Sequence, residues 1–137
     1  MIIGMGSDLV DIRRIEKSLL RYGARFTIRC FTDTERTRAD KSVKPELRAA
    51  SYAKRFAAKE ACAKALGTGI ASGVTLRDIG VDNDDNGKPF IILTGGARKR
   101  LDEITPEGMR AQIMVTLSDE PPLAKADVII QALPITG

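Results

Sequence analysis

The chain has no histidine and no tryptophan, only two cysteines, and four Phe and two Tyr as its aromatic residues. Without imidazole, a Ser-His-Asp triad and a histidine acid or base are excluded, and a zinc site nearly so. Cys30 and Cys62 stand 32 residues apart, and Cys62 falls in an apolar helical stretch where a thiol serves as a small core side chain. So few aromatic rings make a poor platform for stacking bases. No apolar run approaches the roughly 20 residues that cross a bilayer. Met1-Ile2-Ile3-Gly4 lacks the basic flank that opens a secretory signal. The expectation is a cytoplasmic protein with no membrane span and no nucleic-acid partner.

What is present fits one domain over residues 1–137, long enough to build a core without disulfides. The net charge of +4 conceals an asymmetry. Residues 1–60 hold 14 Lys and Arg against 8 Asp and Glu, a balance of +6; the remainder holds 8 against 10, a balance of −2. A basic half suits a polyanionic or acidic partner, or simply a solvated surface.

Met1 to Val10 reads as a strand with Gly4, Gly6 and Asp8 on one face. Asp11 can cap a helix whose inner face is Ile12, Ile15 and Leu19. On that helix Arg14, Lys17, Arg21 and Arg25 make one basic stripe, provided the helix runs so far. Arg13 and Arg29 add charge nearby, and an acidic protein is the partner that suits the stripe best. Thr32 and Glu35 form a capping-box pattern. Pro45-Glu46 opens a long central helix that Gly67 should end. Strands at about Ile79–Asp82 and Phe90–Leu93 flank the Asn86-Gly87 turn, a short helix covers Ala97–Ile104, and two last strands take Ile113–Leu117 and Ala126–Ala132. This order predicts a compact α+β domain, its long central helix packed on a small, mainly antiparallel sheet.

The central helix contains an oddity. Ala53, Phe56, Ala63 and Gly67 lie within about 60° of Glu60 around the helix, so this carboxylate shares an apolar face. A carboxylate so placed is unfavourable unless it is paired or holds a metal. Lys64 follows one turn on, where it can meet Glu60. Asp8 and Glu60, two carboxylates in a chain without histidine, suit a hard cation such as Mg²⁺, which completes its shell with water and phosphate oxygens. Lys64 and Arg55 could neutralise such phosphates. Asp8 could equally serve as a strand-end turn residue, and spacing alone does not join it to Glu60. Asp82-Asn83-Asp84-Asp85-Asn86-Gly87 imitates half of an EF-hand loop, but the twelfth position is Leu93 and Pro89 interrupts it, so the segment is a hairpin turn.

Taken together, these segments resemble the holo-acyl-carrier-protein synthases. Gly4-Met5-Gly6-Ser7-Asp8-Leu9-Val10-Asp11-Ile12 with Arg14-Ile15 is similar to that family's opening motif. Arg55-Phe56-Ala57-Ala58-Lys59-Glu60-Ala61 and Lys64-Ala65-Leu66-Gly67-Thr68-Gly69 are similar to its second signature. Asn86-Gly87-Lys88-Pro89 and Val115-Thr116-Leu117-Ser118-Asp119 follow in order. The resemblance implies Mg²⁺-dependent transfer of 4′-phosphopantetheine from coenzyme A to a serine of acyl carrier protein, in support of fatty acid biosynthesis. Adenosine 3′,5′-bisphosphate would be the leaving group. It also implies homotrimers with active sites between subunits. By position, Asp8 and Glu60 match metal ligands, and Lys64 a phosphate-contacting lysine. Arg55, Gly67, Lys88 and Pro89 match positions around the coenzyme, and Arg14, Arg21, Arg25 and Arg29 the region that receives the acidic carrier. Two rivals compete with this reading: a basic non-enzymatic module for an acidic protein or RNA, and a metal-dependent pyrophosphate hydrolase.

Overall fold

Ten of the first eleven residues form strand β1 (Ile2–Asp11), which ends where Asp11 caps helix α1 (Ile12–Tyr22) by accepting a hydrogen bond from the Arg13 amide. In this computed structural model, which describes residues 1–136, the chain continues through helices α2 (Ala24–Cys30), α3 (Asp33–Asp40) and α4 (Pro45–Ala65). A 3-10 turn (Leu76–Asp78) leads to the hairpin β2 (Ile79–Asn83) and β3 (Pro89–Leu93). Helix α5 (Gly95–Ile104) and the strands β4 (Met109–Glu120) and β5 (Leu123–Pro134) complete the fold.

The architecture is α+β: α4 lies on an antiparallel sheet of order β1-β5-β4, and the β2-β3 hairpin forms a second, two-stranded sheet. Along β5 the alternate residues Ala124, Ala126, Val128, Ile130 and Ala132 are buried, the period of two expected of a strand with one covered face. Facing them, α4 buries a run of alanines from Ala49 to Ala65. Small side chains on both sides bring helix and sheet unusually close. At Gly4 a Cβ would lie 2.1 Å from the Ala65 carbonyl oxygen, and at Gly6 2.0 Å from that of Ala61.

Two expectations need correction. The helix carrying Arg14 stops at Tyr22, because Gly23 turns the chain at φ +53° and donates its N–H to Leu19. Arg25 and Arg29 therefore belong to α2, and the single stripe is broken into two basic segments. The closing strands are longer than Ile113–Leu117 and Ala126–Ala132. Each has twelve residues, pairing in unbroken register from Met109↔Pro134 to Glu120↔Leu123 around a turn with a cis Pro121–Pro122 bond. The other local signals hold: Thr32 and Glu35 make the reciprocal capping box, and Pro45 stands in the first turn of α4.

The opposite face of the three-stranded sheet is different. There Met5, Ile129 and Met114 stand directly beside one another across β1, β5 and β4. Met5 is 73% exposed, and Leu9, four residues along on the same face, is 61% exposed. In the single chain this apolar row is open to water.

Candidate functional site

The glycines of β1 place the first functional side chain. Gly4 and Gly6 lie against the backbone of α4, and Asp8, next on the same face, comes alongside the last turns of that helix. Lys64 reaches back to it: Nζ is 3.0 Å from Asp8 Oδ1 and donates to the Ser7 carbonyl at 3.0 Å. Glu60, one turn earlier on α4, borders the same space. Its carboxyl is pushed above the ordinary value of 4.5 by burial first and by the Asp8 charge second, with Lys64 opposing. Asp8, Arg14, Ser18, Phe26, Phe56 and Glu60 line a cavity of about 300 Å³, roofed by α1 and α2.

This donor set suits a hard divalent cation. It is oxygen only, and burial first, with the Asp8 charge second, raises Glu60, a cost that a bound cation would relieve. Among the described residues no cluster of three or more His, Cys, Asp or Glu could hold a metal ion. A cation here would have two carboxylates and would need its other oxygens from water or a ligand, the habit of Mg²⁺.

The remaining predicted residues are dispersed within one chain. Gly67 follows the end of α4 at φ +82° and borders a polar cleft of about 540 Å³ with Thr68, Gly73, Lys99 and Arg100. Arg100 donates Nε to the Leu66 carbonyl at 2.8 Å and so closes the helix end. Lys88 and Pro89 border a separate groove of about 530 Å³ with Phe90, Met114 and Ile129, between the hairpin and the outer face of the sheet. Arg55 is buried and is not beside Lys64. Nine residues of α4 separate the two, which puts them on opposite faces of the helix. Its Nη1 donates to the Ser51 carbonyl at 3.1 Å, and its Nε has no partner. Burial lowers its pKa, while Glu35 and Asp82 act the other way. Arg25 and Arg29 border a groove of about 480 Å³ with Tyr22, Phe26 and Cys30, and Arg21 lies 5.3 Å from the Tyr22 ring centroid.

Sequence reasoning missed one feature nearby. Lys59, adjoining Glu60, is fully buried against Glu35 at 2.7 Å. The signal for it was a lysine within a run of alanines that the core absorbs completely.

Comparison with known proteins bears on all of this. A family model described as the 4′-phosphopantetheinyl transferase superfamily matches residues 4–117. The holo-[acyl-carrier-protein] synthase of Rhizobium rhizogenes is 63% identical over 137 residues, 100% of both chains; that of Agrobacterium fabrum is 61% identical with the same coverage. Among solved structures, a holo-[acyl-carrier-protein] synthase from Neisseria meningitidis superposes with a TM-score of 0.79 at 37% identity, covering 96% of this chain and 99% of that one. The Bacillus anthracis enzyme, solved in complex with CoA (3′,5′-ADP), gives 0.74 at 35% identity over 95% and 96% of the two chains.

Proposed function

The chain belongs to the holo-[acyl-carrier-protein] synthases of the 4′-phosphopantetheinyl transferase superfamily, and we propose that it uses Mg²⁺ to move phosphopantetheine from coenzyme A to a serine of apo-acyl carrier protein. Adenosine 3′,5′-bisphosphate leaves. The observation that carries this reading is the meeting of Asp8 and Glu60 at one cavity beside the basic helices α1 and α2, with Lys64 bonded to Asp8.

In the reaction the serine Oγ forms a bond to the phosphorus that carries the pantetheine arm. The bond from that phosphorus to the bridging oxygen breaks, and the electron pair leaves with adenosine bisphosphate. Glu60 is our choice of proton acceptor, with Asp8 second: a carboxylate raised above its ordinary range is a stronger base, better matched to a serine near neutral pH. Lys64, held at Asp8 in this structure, supplies a positive charge that can follow the charge developing on the phosphoryl oxygens. Asp8 and Glu60 would hold Mg²⁺, which supplies electrostatic stabilisation to the same oxygens when bound. Gly67, Lys88, Pro89 and Arg55 are the coenzyme contacts in this reading. Their dispersal within one chain is what a site assembled between copies requires, and the open Met5–Ile129–Met114 row provides a surface for that association. We assign a homotrimer on these grounds and on the family likeness.

The decisive experiment is intact-mass analysis of apo-acyl carrier protein after incubation with this protein, coenzyme A and Mg²⁺. A gain of one phosphopantetheine, absent with EDTA, is the expected result. No gain from folded protein with its cognate carrier would overturn the proposal. Consumption of coenzyme A without carrier would point instead to a hydrolase.

Arg14, Arg21, Arg25 and Arg29 are proposed to receive the acidic carrier, Arg14 from the edge of the catalytic cavity. Charge reversal at Arg21, Arg25 and Arg29 together should raise KM for the carrier about tenfold or more at low salt. KM for coenzyme A should stay constant, and the difference should shrink as salt screens it. Equal KM values at low salt would remove these residues from the interface. Cys30 and Cys62 are both free and buried, in keeping with the reducing cytoplasm where fatty acid synthesis would use the product.

A further inference from the structure

Glu35 and Lys59 are each 0% exposed, and theirs is the only ion pair with both side chains wholly buried among the described residues. All three Lys59 protons and both Glu35 oxygens find partners. Lys59 Nζ lies 2.7 Å from Glu35 Oε1 and donates to the carbonyls of Leu76 at 2.9 Å and Ile79 at 2.6 Å. Glu35 also accepts from the amide of Thr32 at 2.7 Å and, through Oε2, from that of Val81 at 2.9 Å. The Phe31 ring closes one side, 5.4 Å from Nζ. Four segments therefore meet in a single pair: the start of α3, the middle of α4, the 3-10 turn and β2.

These segments lead to the proposed coenzyme residues on both sides. Lys59 adjoins Glu60 and stands just over one turn before Lys64. β2 pairs residue for residue with β3, and Asn83↔Pro89 closes the register beside Lys88. Neither Glu35 nor Lys59 lines the cavities described above. They touch no substrate and are not catalytic.

We propose that Glu35 and Lys59 are positioning residues, a buried clamp that fixes the Lys88–Pro89 hairpin at a set place relative to the helix face carrying Glu60 and Lys64. The inference rests on the functional reading above, in which both parts contact coenzyme A and each copy presents both. A site assembled between copies tolerates little play inside each copy, because an error in one chain displaces half of a site on its neighbour. Burial alone does not require charge here: apolar replacements of buried ion pairs are often neutral or stabilising. What an apolar side chain lacks is direction. Lys59 pins two named carbonyl oxygens, and Glu35 two named amides.

The test is the double variant Glu35→Gln/Lys59→Met, which removes both charges together, so that no unpaired charge stays buried, and with them the bonds to the Leu76 and Ile79 carbonyls and to one of the two amides. The expected result is a protein that still folds, with a lowered melting temperature, KM for coenzyme A at least tenfold higher, kcat within about threefold, and KM for the carrier unchanged. Hydrogen exchange across residues 79–93 should accelerate, while α4 stays protected. A folded double variant with wild-type KM and wild-type exchange in the hairpin would overturn the proposal. Glu35→Asp, which keeps the charge opposite Lys59 but shortens the reach to the Thr32 and Val81 amides, gives the same two readouts should the double variant not fold. Exchange separates the two readings: if the wild type transfers no phosphopantetheine, the functional reading fails, while faster hairpin exchange in the variant still reports the clamp.

Discussion

Glu60→Gln should lower phosphopantetheine transfer by about a thousandfold or more and at the same time raise the melting temperature of the metal-free protein at neutral pH. The two effects have one cause. Burial and the Asp8 charge hold the Glu60 carboxyl above its ordinary 4.5, so the folded protein binds that proton more tightly than the unfolded chain does. The contribution to stability is complete below pH 4.5 and is lost as pH rises through the folded-state value; at neutral pH the ionised side chain is a burden. Glutamine keeps the shape and removes the charge. Metal-free wild type should therefore lose stability as pH rises above 4.5, a loss that the variant should show to a lesser degree. Mg²⁺ should raise the melting temperature of the wild type and leave that of the variant nearly unchanged, because binding to the folded state alone stabilises by mass action. Thermal melts from pH 4 to 8, with and without Mg²⁺, decide the matter. A variant that melts below the wild type at pH 7, or that responds fully to Mg²⁺, removes Glu60 from the metal site.

That such a residue can be picked out from sequence follows from periodicity. A glutamate on the same helical face as Ala53, Phe56 and Ala63 breaks the pattern within a single helix, and local patterns are legible. The same holds for the Thr32–Glu35 capping box, Pro45 in the first turn of α4, and Asn86-Gly87 between β2 and β3. Gly23 is a local signal too, and reading the basic residues as one stripe passed over it. The ends of β4 and β5 were harder to read. Ser118, Asp119 and Glu120 opposite Lys125, Ala124 and Leu123 look like loop, yet their backbones continue the ladder.

Long-range meetings are a different matter. The approach of Asp8 to Lys64 joins residues 56 apart, and the Glu35–Lys59 pair has no sequence pattern of its own. Glu35 was accounted for by its cap, and Lys59 by the charged motif around it. The same carboxylate serves both the cap and the buried pair, which only the packing of α3 on α4 and β2 makes visible. The separation of Arg55 from Lys64, by contrast, was already contained in their spacing along the helix.

Gly6→Ala should be the most disruptive single-methyl change to the catalytic cavity. A Cβ at Gly6 would lie 2.0 Å from the Ala61 carbonyl oxygen and 2.8 Å from the Ala65 amide nitrogen. Both are helix backbone, so no side chain can turn aside; β1 and α4 must separate. Overpacking of this kind costs about 1–3 kcal/mol or somewhat more. We expect at least about 2 kcal/mol in urea unfolding, since the contact lies where β1 meets the long central helix. Asp8 is two residues along on the same face and moves with the strand, while Glu60 and Lys64 stay with the helix. The 3.0 Å contact between Lys64 and Asp8 then opens, and with it the spacing of the carboxylates. Misplacement by about 1 Å can lower a rate about a hundredfold, so transfer should fall by that order even in buffer where the variant is fully folded. Gly4→Ala, 2.1 Å from the Ala65 carbonyl oxygen, should lose comparable stability but less activity, because it lies farther along the strand from Asp8. Ser7→Ala is the control for the close approach: its side chain lies on the outer face, bonded to Asp127 beside the open Met5–Ile129 row, so any loss should appear in the oligomeric state and not in the Lys64–Asp8 contact. A Gly6→Ala protein as stable and active as the wild type would show that the close approach of strand and helix does not set the site.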